Sequence, residues 1–249
     1  MFNKFWFDAK NINCFKNDSR VIKDLNLKIA YSENVILIGP NGSGKSSLIE
    51  IINRNIYPVI TNESKLKIFD KELINLWELR KKISTVNNDI KTRINPNLKV
   101  FDLILSGLYG RYCYIQNKSE IDSYKVEKIM KKMNISNLSK KNFSYLSDGE
   151  KQISLIARAL IKKPDILILD EPIANLDYKS KFFVVDKINE LSKLNTKIYD
   201  RVIMLKDGII IADGDQNKVI NSENLNKLYG IQVEVTKNNG LWNINRLSK

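Results

Sequence analysis

The run from Asn34 to Ser47, reading Asn-Val-Ile-Leu-Ile-Gly-Pro-Asn-Gly-Ser-Gly-Lys-Ser-Ser, constrains this chain more than any other stretch. Val35 to Ile38 has the continuous apolar character of a buried parallel strand, and it runs straight into Gly39-x4-Gly44-Lys45-Ser46, a phosphate-binding loop pattern. Glycines at positions 39, 42 and 44 let the backbone curl so that successive N–H groups face one anion, and the helix that follows presents its positive end to the same place. The segment Gly39, Pro40, Asn41, Gly42, Ser43, Gly44, Lys45, Ser46 and Ser47 is therefore a nucleotide-phosphate cradle. Lys45 supplies a mobile positive charge and the Ser46 hydroxyl a ligand for Mg2+. The bland alternative is a glycine-rich turn followed by a helix that happens to start with lysine.

Bulk properties bound the rest. A chain of 249 residues with 43% hydrophobic content can bury one substantial core, with a smaller lobe attached. The two cysteines, Cys14 and Cys113, form no metal or redox spacing, which suits a reducing compartment. No run of about eighteen apolar residues occurs, and Met1 to Lys10 lacks a signal-peptide core, so a cytoplasmic location is expected. The formal net charge of +13 invites an anionic partner. The lysines are dispersed, however, without a basic block or arginine stripe, so no nucleic-acid partner is expected and attraction to an anionic membrane face is the better use of the charge.

Along the chain, Asn11 to Phe15 and Val21 to Ala30 read as strands of an antiparallel flap around Lys16-Asn17-Asp18. Phe15 is placed either to stack on an adenine ring or to fill the core. Ser46 to Asn53 continues as a helix, Lys65 to Phe69 is a strand, Leu73 to Lys82 an amphipathic helix and Ile83 to Val86 another strand, ending at Asn87-Asn88-Asp89. Val100 to Leu108 and Ile121 to Met133 are helical by spacing, with no strand between them. The aromatics Phe101, Tyr109, Tyr112 and Tyr114 in that region serve as packing or line a groove for a partner helix. Leu146-Ser147-Asp148-Gly149-Glu150-Lys151-Gln152 opens the next helix. Ile166-Leu167-Ile168-Leu169 is an apolar strand that delivers Asp170 and Glu171 at its carboxyl tip, an expensive place for two acids unless they face a cation or a polar pocket. Lys179 to Leu194 is a helix, Arg201 to Leu205 and Ile209 to Ala212 form a hairpin through Asp207-Gly208, Leu225 to Gly230 is a short helix, and Ile231 to Val235 with Leu241 to Ile244 form a closing hairpin.

The phosphate loop, the Leu-Ser-x-Gly-Glu-x-Gln run, the acid-tipped strand and Ala174-Asn175-Leu176-Asp177 occur in the order and spacing that resembles the ATP-binding cassette (ABC) ATPases, over roughly residues 10 to 220. The resemblance implies an α/β fold: a P-loop NTPase (RecA-like) core with an antiparallel β flap and an inserted small helical subdomain. Residues 1–95 and 143–220 would form the core with its flap, 96–142 the helical subdomain, and 221–249 an extension packed on the core. It further implies the cytoplasmic ATP-binding subunit of a transporter, bound to an integral membrane permease on another chain at the inner membrane face. Ile52-Asn53-Arg54, Tyr57-Pro58, Leu76-Trp77-Glu78-Leu79-Arg80, Ser106-Gly107 and Asp200-Arg201-Val202 look like the molybdate-type import branch.

By the same resemblance, two copies pack head to tail, with ATP on the phosphate loop of one covered by Ser147, Gly149 and Gln152 of the other. Asp170 would hold Mg2+ through water, Glu171 would polarise the attacking water, and Asp177 would bridge the halves. Asn88 stands where the family usually has a glutamine contacting Mg2+, keeping the amide with one methylene less of reach. A second departure is larger. The family places a histidine at the end of the strand after the Lys179 to Leu194 helix, and this chain has no histidine at all. Asn195-Thr196-Lys197 runs almost directly into Ile198-Tyr199-Asp200-Arg201, so roughly one strand and a short helical piece are absent on ordinary βα unit lengths. Two readings of that gap stand: a deletion in this copy, or a hydrolysis-impaired cassette acting as an ATP-dependent clamp or regulatory module.

Overall fold

Two twelve-residue strands, β1 (Phe5–Lys16) and β2 (Ser19–Ala30), open the computed structural model, which describes residues 4–31, 33–87, 89–192, 201–238 and 241–247. They are joined through Asn17 and Asp18, both at positive φ (47° and 62°), the tight mirror-image turn that asparagine and aspartate tolerate best. Both strands run longer than the sequence suggests. Asn11 and Asp24 adopt left-handed backbone angles within the pair and shift its register, which breaks the alternation that would have marked one continuous ladder.

In chain order follow β3 (Val35–Ile38), α1 (Lys45–Ile52), β4 (Lys65–Ile68), α2 (Leu76–Lys82), β5 (Ile83–Val86), α3 (Ile90–Arg93), α4 (Val100–Tyr109) and α5 (Glu120–Lys132). Then come α6 (Asp148–Leu160), β6 (Ile166–Leu169), α7 (Tyr178–Ser192), β7 (Arg201–Lys206), β8 (Ile209–Gly214), α8 (Gln216–Val219), α9 (Ser222–Tyr229), β9 (Val233–Asn238) and β10 (Leu241–Arg246). Helix α2 starts three residues later than its apolar spacing suggests, because Leu73 contributes nothing to the interior and is 93% exposed.

Chain contacts divide these elements into two units, Met1–Asn75 with Asn195–Lys249, and Leu76–Leu194. In the first, β4 adds antiparallel to β1 to give the order β2-β1-β4, and Trp6, Phe7, Ile12, Leu25, Leu27, Leu66 and Ile68 of this sheet are buried. A second sheet has the order β3-β7-β8, with β3 and β7 parallel and β7 and β8 antiparallel around Asp207-Gly208. Val202 and Met204 of β7 share a core with Val219, Leu225, Leu228 and Val233, which is how the carboxyl-terminal helices and the β9–β10 ribbon are held.

In the second unit β5 and β6 pair in parallel, and α4, α5, α6 and α7 enclose one core that includes Leu103, Ile104, Val126, Met130, Ile153, Ile156 and Val184. Residues 96–142 were expected to form a lobe of their own. Instead α4 and α5 pack into the same core as α6, so within this unit the inserted helices and the helix opened by Ser147 are one body. Phe101 and Tyr112 lie partly buried against that core, whereas Tyr109 and Tyr114 are exposed, and the Tyr109 hydroxyl donates to Asp122 at 2.7 Å.

Among the described residues, β3 pairs on one side only, with β7, and β6 on one side only, with β5. All four residues of each are half-buried although both strands are wholly apolar. The strand expected to be lacking falls on residues 193–200, which lie outside the described residues.

Candidate functional site

In the first unit, β3 delivers the chain into the phosphate loop and α1 carries it away. A side chain at position 39 has no room: a Cβ there would lie 2.2 Å from the Leu205 carbonyl oxygen and 2.6 Å from Ser43 Oγ. Gly44 sits at φ +105° and its Cβ would come within 2.8 Å of the Val21 carbonyl oxygen, while Gly42 at φ +79° faces open space. Glycine at 39 is thus demanded by close approach, and at 42 by backbone angle alone. Lys45 Nζ donates to the Gly39 and Pro40 carbonyls at 2.7 and 2.9 Å, which holds the ammonium over the loop. The β7–β8 turn braces the loop from behind, the Gly208 N–H donating to the Ser43 carbonyl at 2.9 Å and the Lys23 N–H to Gly208 at 2.9 Å.

Two observations make this loop fit a triphosphate. Ser43 is 1% exposed, yet its hydroxyl oxygen has no hydrogen-bond partner among the described residues, an arrangement that is costly unless a ligand completes it. Helix α1 begins at Lys45 with Gly44 as N-cap and no side-chain cap, so its first N–H groups are left for an anion. Ser46 is exposed on the first turn, free to ligate a cation. No cluster of three His, Cys, Asp or Glu that could hold a metal occurs among the described residues. A magnesium ion held by one hydroxyl, phosphate oxygens and water needs none. Phe15, left open between core and adenine platform, is 50% exposed at the end of β1, and the neighbouring Lys16 ammonium meets Glu50 of α1 at 3.0 Å. Its ring is a surface platform and not core.

In the second unit the Asp170 N–H donates to the Val86 carbonyl at 2.9 Å, extending the β5–β6 ladder by one residue and setting the acid at the carboxyl edge of both strands. Glu171 follows at φ +48°, a conformation that turns the chain sharply, and the Ala174 N–H closes that turn on its carbonyl at 3.1 Å. Asn87, which follows Val86 at the same edge, has a buried side-chain oxygen with no hydrogen-bond partner among the described residues. Sequence reasoning noted it only as part of a polar loop. Asn88, the residue it favoured, lies outside the described residues.

The signature run does two jobs inside its own chain. Ser147 caps α6: its hydroxyl accepts from the Glu150 N–H at 3.2 Å while the Glu150 carboxylate accepts from the Ser147 N–H at 2.8 Å, a reciprocal capping box. Burial works against the Glu150 charge, but the Ser147 N–H and the Lys141 ammonium at 3.5 Å hold its carboxyl below the ordinary value. Gly149 is buried against α7, where a Cβ would lie 3.0 Å from Ser180 Cβ and Oγ. Ser180 is pinned in turn by Asp177, which accepts its N–H at 2.9 Å and its hydroxyl at 2.7 Å, and these two bonds keep the Asp177 carboxyl low. Gln152 is 3% exposed. The expectation that Gly149 and Asp177 face a second copy therefore meets an intrachain alternative for the Gly149 α-carbon and the Asp177 carboxylate: both are engaged with Ser180. The motif order carried no sign of Ser180, whereas the Ser-x-x-Glu spacing was a legible capping signal.

A family profile described as "ABC transporter" matches residues 22–174, well over half of the chain. The chain belongs to the ABC transporter family. Its relatives include YmeB, an ABC transporter ATP-binding protein of Lactococcus lactis subsp. lactis, 30% identical over 92% of this chain and 93% of its own length. An ABC transporter ATP-binding protein of Methanocaldococcus jannaschii is 32% identical over 89% and 90% of the two chains. The phosphonates import ATP-binding protein PhnC 2 of Oceanobacillus iheyensis is 30% identical over 88% and 92%. Among solved structures, cbiO1 of Clostridium perfringens, part of the cbiONQ transporter complex, superposes with a TM-score of 0.75 at 22% identity, covering 90% of this chain and 94% of that one. A dimeric cassette bound to ADP and Pi gives a TM-score of 0.67 at 24% identity, over 84% and 98%. The fold is that of an ABC ATPase cassette with its P-loop NTPase core, and the chain is an ATP-binding subunit of the ABC ATPase class. Among the described residues no helix is long and apolar enough to cross a membrane.

Proposed function

We propose that this ABC subunit binds Mg-ATP in a head-to-tail pair of identical chains and turns it over to drive a separate membrane permease from the cytoplasmic face. The observation that carries the reading is the cradle itself: a glycine that no side chain can replace, a buried serine hydroxyl without a partner among the described residues and an uncapped helix start converge at one loop. In this reading the loop N–H groups and Lys45 would bind the β- and γ-phosphates, the Ser46 hydroxyl would ligate the magnesium, the family resemblance alone assigns Asp170 to that ion through water, and Phe15 would stack on the base. The bound Mg2+ supplies charge neutralisation on the phosphate oxygens. Glu171, on its turned backbone, accepts the proton of the attacking water. Ser147 and the helix start behind it close the site of the facing copy, with Gly149 and Asp177 setting the shape of that surface through Ser180. The molybdate-type import branch rests on five short phrases alone, around Arg54, Tyr57, Trp77, Gly107 and Arg201, and cargo names among the relatives include phosphonate.

A second reading is favoured by one fact: the chain contains no histidine, so the γ-phosphate contact that the family places after the α7 region has to be made otherwise or not at all. Losing such a contact costs about 10²- to 10³-fold in rate, which would convert a motor into an ATP-dependent clamp. Steady-state Mg-ATPase activity of the purified chain, beside Lys45→Ala and Glu171→Gln, separates the two. The motor shows turnover well above both variants. The clamp binds ATP yet hydrolyses it no faster than Glu171→Gln. Equal residual rates together with no ATP binding reject both.

A further inference from the structure

The outward face of the β2-β1-β4 sheet carries a concentration of positive charge that the phosphate loop does not use. A cavity of about 450 Å³ lies there, with Lys10, Lys28, Lys65 and Arg201 around it and Asp8 as its single lining carboxylate. Ala9 and Leu27 form part of its lining from the strands beneath. Two of the four cations are already answered. Arg201 is clamped by Asp213 at 2.5 and 2.6 Å and reaches Glu33 at 3.2 Å, and Lys28 approaches Asp8 at 3.6 Å.

Lys10 and Lys65 are not. They stand directly opposite each other across the antiparallel β1–β4 pair, and among the described residues neither has an ion-pair partner. Like charges at directly opposed positions bring their Cβ atoms to about 5 Å and destabilise a sheet. Edge protection is the ordinary reason for lysines on a strand, and it accounts for Lys65 and Lys67 on the edge strand β4. It does not account for Lys10, which is on the middle strand of the three. Meanwhile the Arg201 guanidinium donates to the Lys28 carbonyl at 2.7 Å, fixing the far wall of the cavity.

We infer that this cavity is a site for a phosphate-bearing anion, separate from the ATP cradle, with Lys10 and Lys65 as the paired ligands and Lys28 beside them. A doubly or triply charged phosphate group bridging the two ammoniums removes the cross-strand repulsion and answers two charges that have no ion-pair partner among the described residues. The group could arrive dissolved, as a polyphosphate, or on a lipid headgroup, and the experiment tells these apart.

The full-length chain carrying Lys45→Ala, which weakens phosphate binding at the loop, is titrated with inorganic pyrophosphate while backbone amide resonances are followed. In parallel, flotation is measured with vesicles of phosphatidylglycerol and of phosphatidylcholine. The site predicts saturable shifts at Lys10, Lys28 and Lys65 with pyrophosphate, or flotation with phosphatidylglycerol alone. In either case Lys10→Gln with Lys65→Gln weakens the effect by at least about tenfold and leaves the melting temperature and the ATP affinity of the otherwise unaltered chain in place. Pyrophosphate shifts without flotation identify a dissolved anion, and flotation without shifts a headgroup. Shifts confined to Gly42–Ser46 with no flotation, or binding indifferent to the two glutamines, overturn the inference.

Discussion

Substituting Gly149 by alanine isolates the contact that the structure places behind the signature helix. The new Cβ would lie 3.0 Å from Ser180 Cβ and Oγ and 3.4 Å from its Cα. Alanine by itself favours a helix over glycine by about 1 kcal/mol. Overpacking against a neighbour that cannot recoil costs about 1 to 3 kcal/mol, and Ser180 is tied down by two bonds to Asp177. The clash therefore wins, with a net loss of about 1 kcal/mol. For a chain of this size that lowers Tm by about 2 to 4 °C. Melting curves of the parent, Gly149→Ala, Ser180→Gly and the double variant form a closed cycle. With the extra atom accommodated by the glycine opposite, the clash of about 2 kcal/mol disappears, and the double variant should be about 2 kcal/mol more stable than the two single effects combined. Effects that add to within about 0.5 kcal/mol refute the packing explanation of this glycine. A double variant that regains Tm but fails to dimerise with ATP assigns the glycine a further role at the facing nucleotide.

Gly39→Ala sets a Cβ 2.2 Å from a backbone oxygen of β7, which cannot swing aside as a side chain would, so the loop is displaced and binding of a fluorescent ATP analogue is lost at concentrations that saturate the parent. Phe15→Ala removes a half-exposed ring and leaves Tm nearly unchanged, but weakens ATP by about tenfold while tripolyphosphate binding stays the same, because only ATP has a base to stack. Glu150 is held below its ordinary pKa in the folded chain, so the unfolded state binds its proton first as pH falls. Its contribution is full above about pH 4.3, the unfolded value, and is lost as pH drops through the lower folded value, giving Glu150→Gln a flatter Tm profile between pH 3 and 6 than the parent.

How much was legible in the sequence depended on whether the deciding interaction was local. The phosphate loop could be read because its glycines, lysine and flanking strand are contiguous, and the Asp207-Gly208 hairpin because its turn chemistry lies in two adjacent residues. The flap strands were read short since left-handed Asn11 and Asp24 interrupt the two-residue period without ending the pairing. The inserted helices resemble a separate lobe in sequence because nothing in their own spacing reveals that Leu103 and Val126 meet Ile153 in one core. At the site, the capping box of Ser147 and Glu150 was written in a three-residue spacing, whereas Ser180 against Gly149 and Gly208 behind Ser43 are contacts between distant segments. In sequence Asn87 is only one residue of a polar loop, because an amide oxygen without a partner among the described residues is a property of burial, which a string of letters does not carry.

The proposed shared site requires that the phosphate loop of one chain and the Ser147 helix start of another close on the same ATP. Light-scattering mass of the Glu171→Gln chain, which on the proposed mechanism would hold ATP without turning it over, measures this directly with and without saturating Mg-ATP. The mass should double with nucleotide and stay at one chain when Lys45→Ala is added to the same background. A chain that binds ATP yet remains a single copy at every protein concentration tested contradicts the shared site.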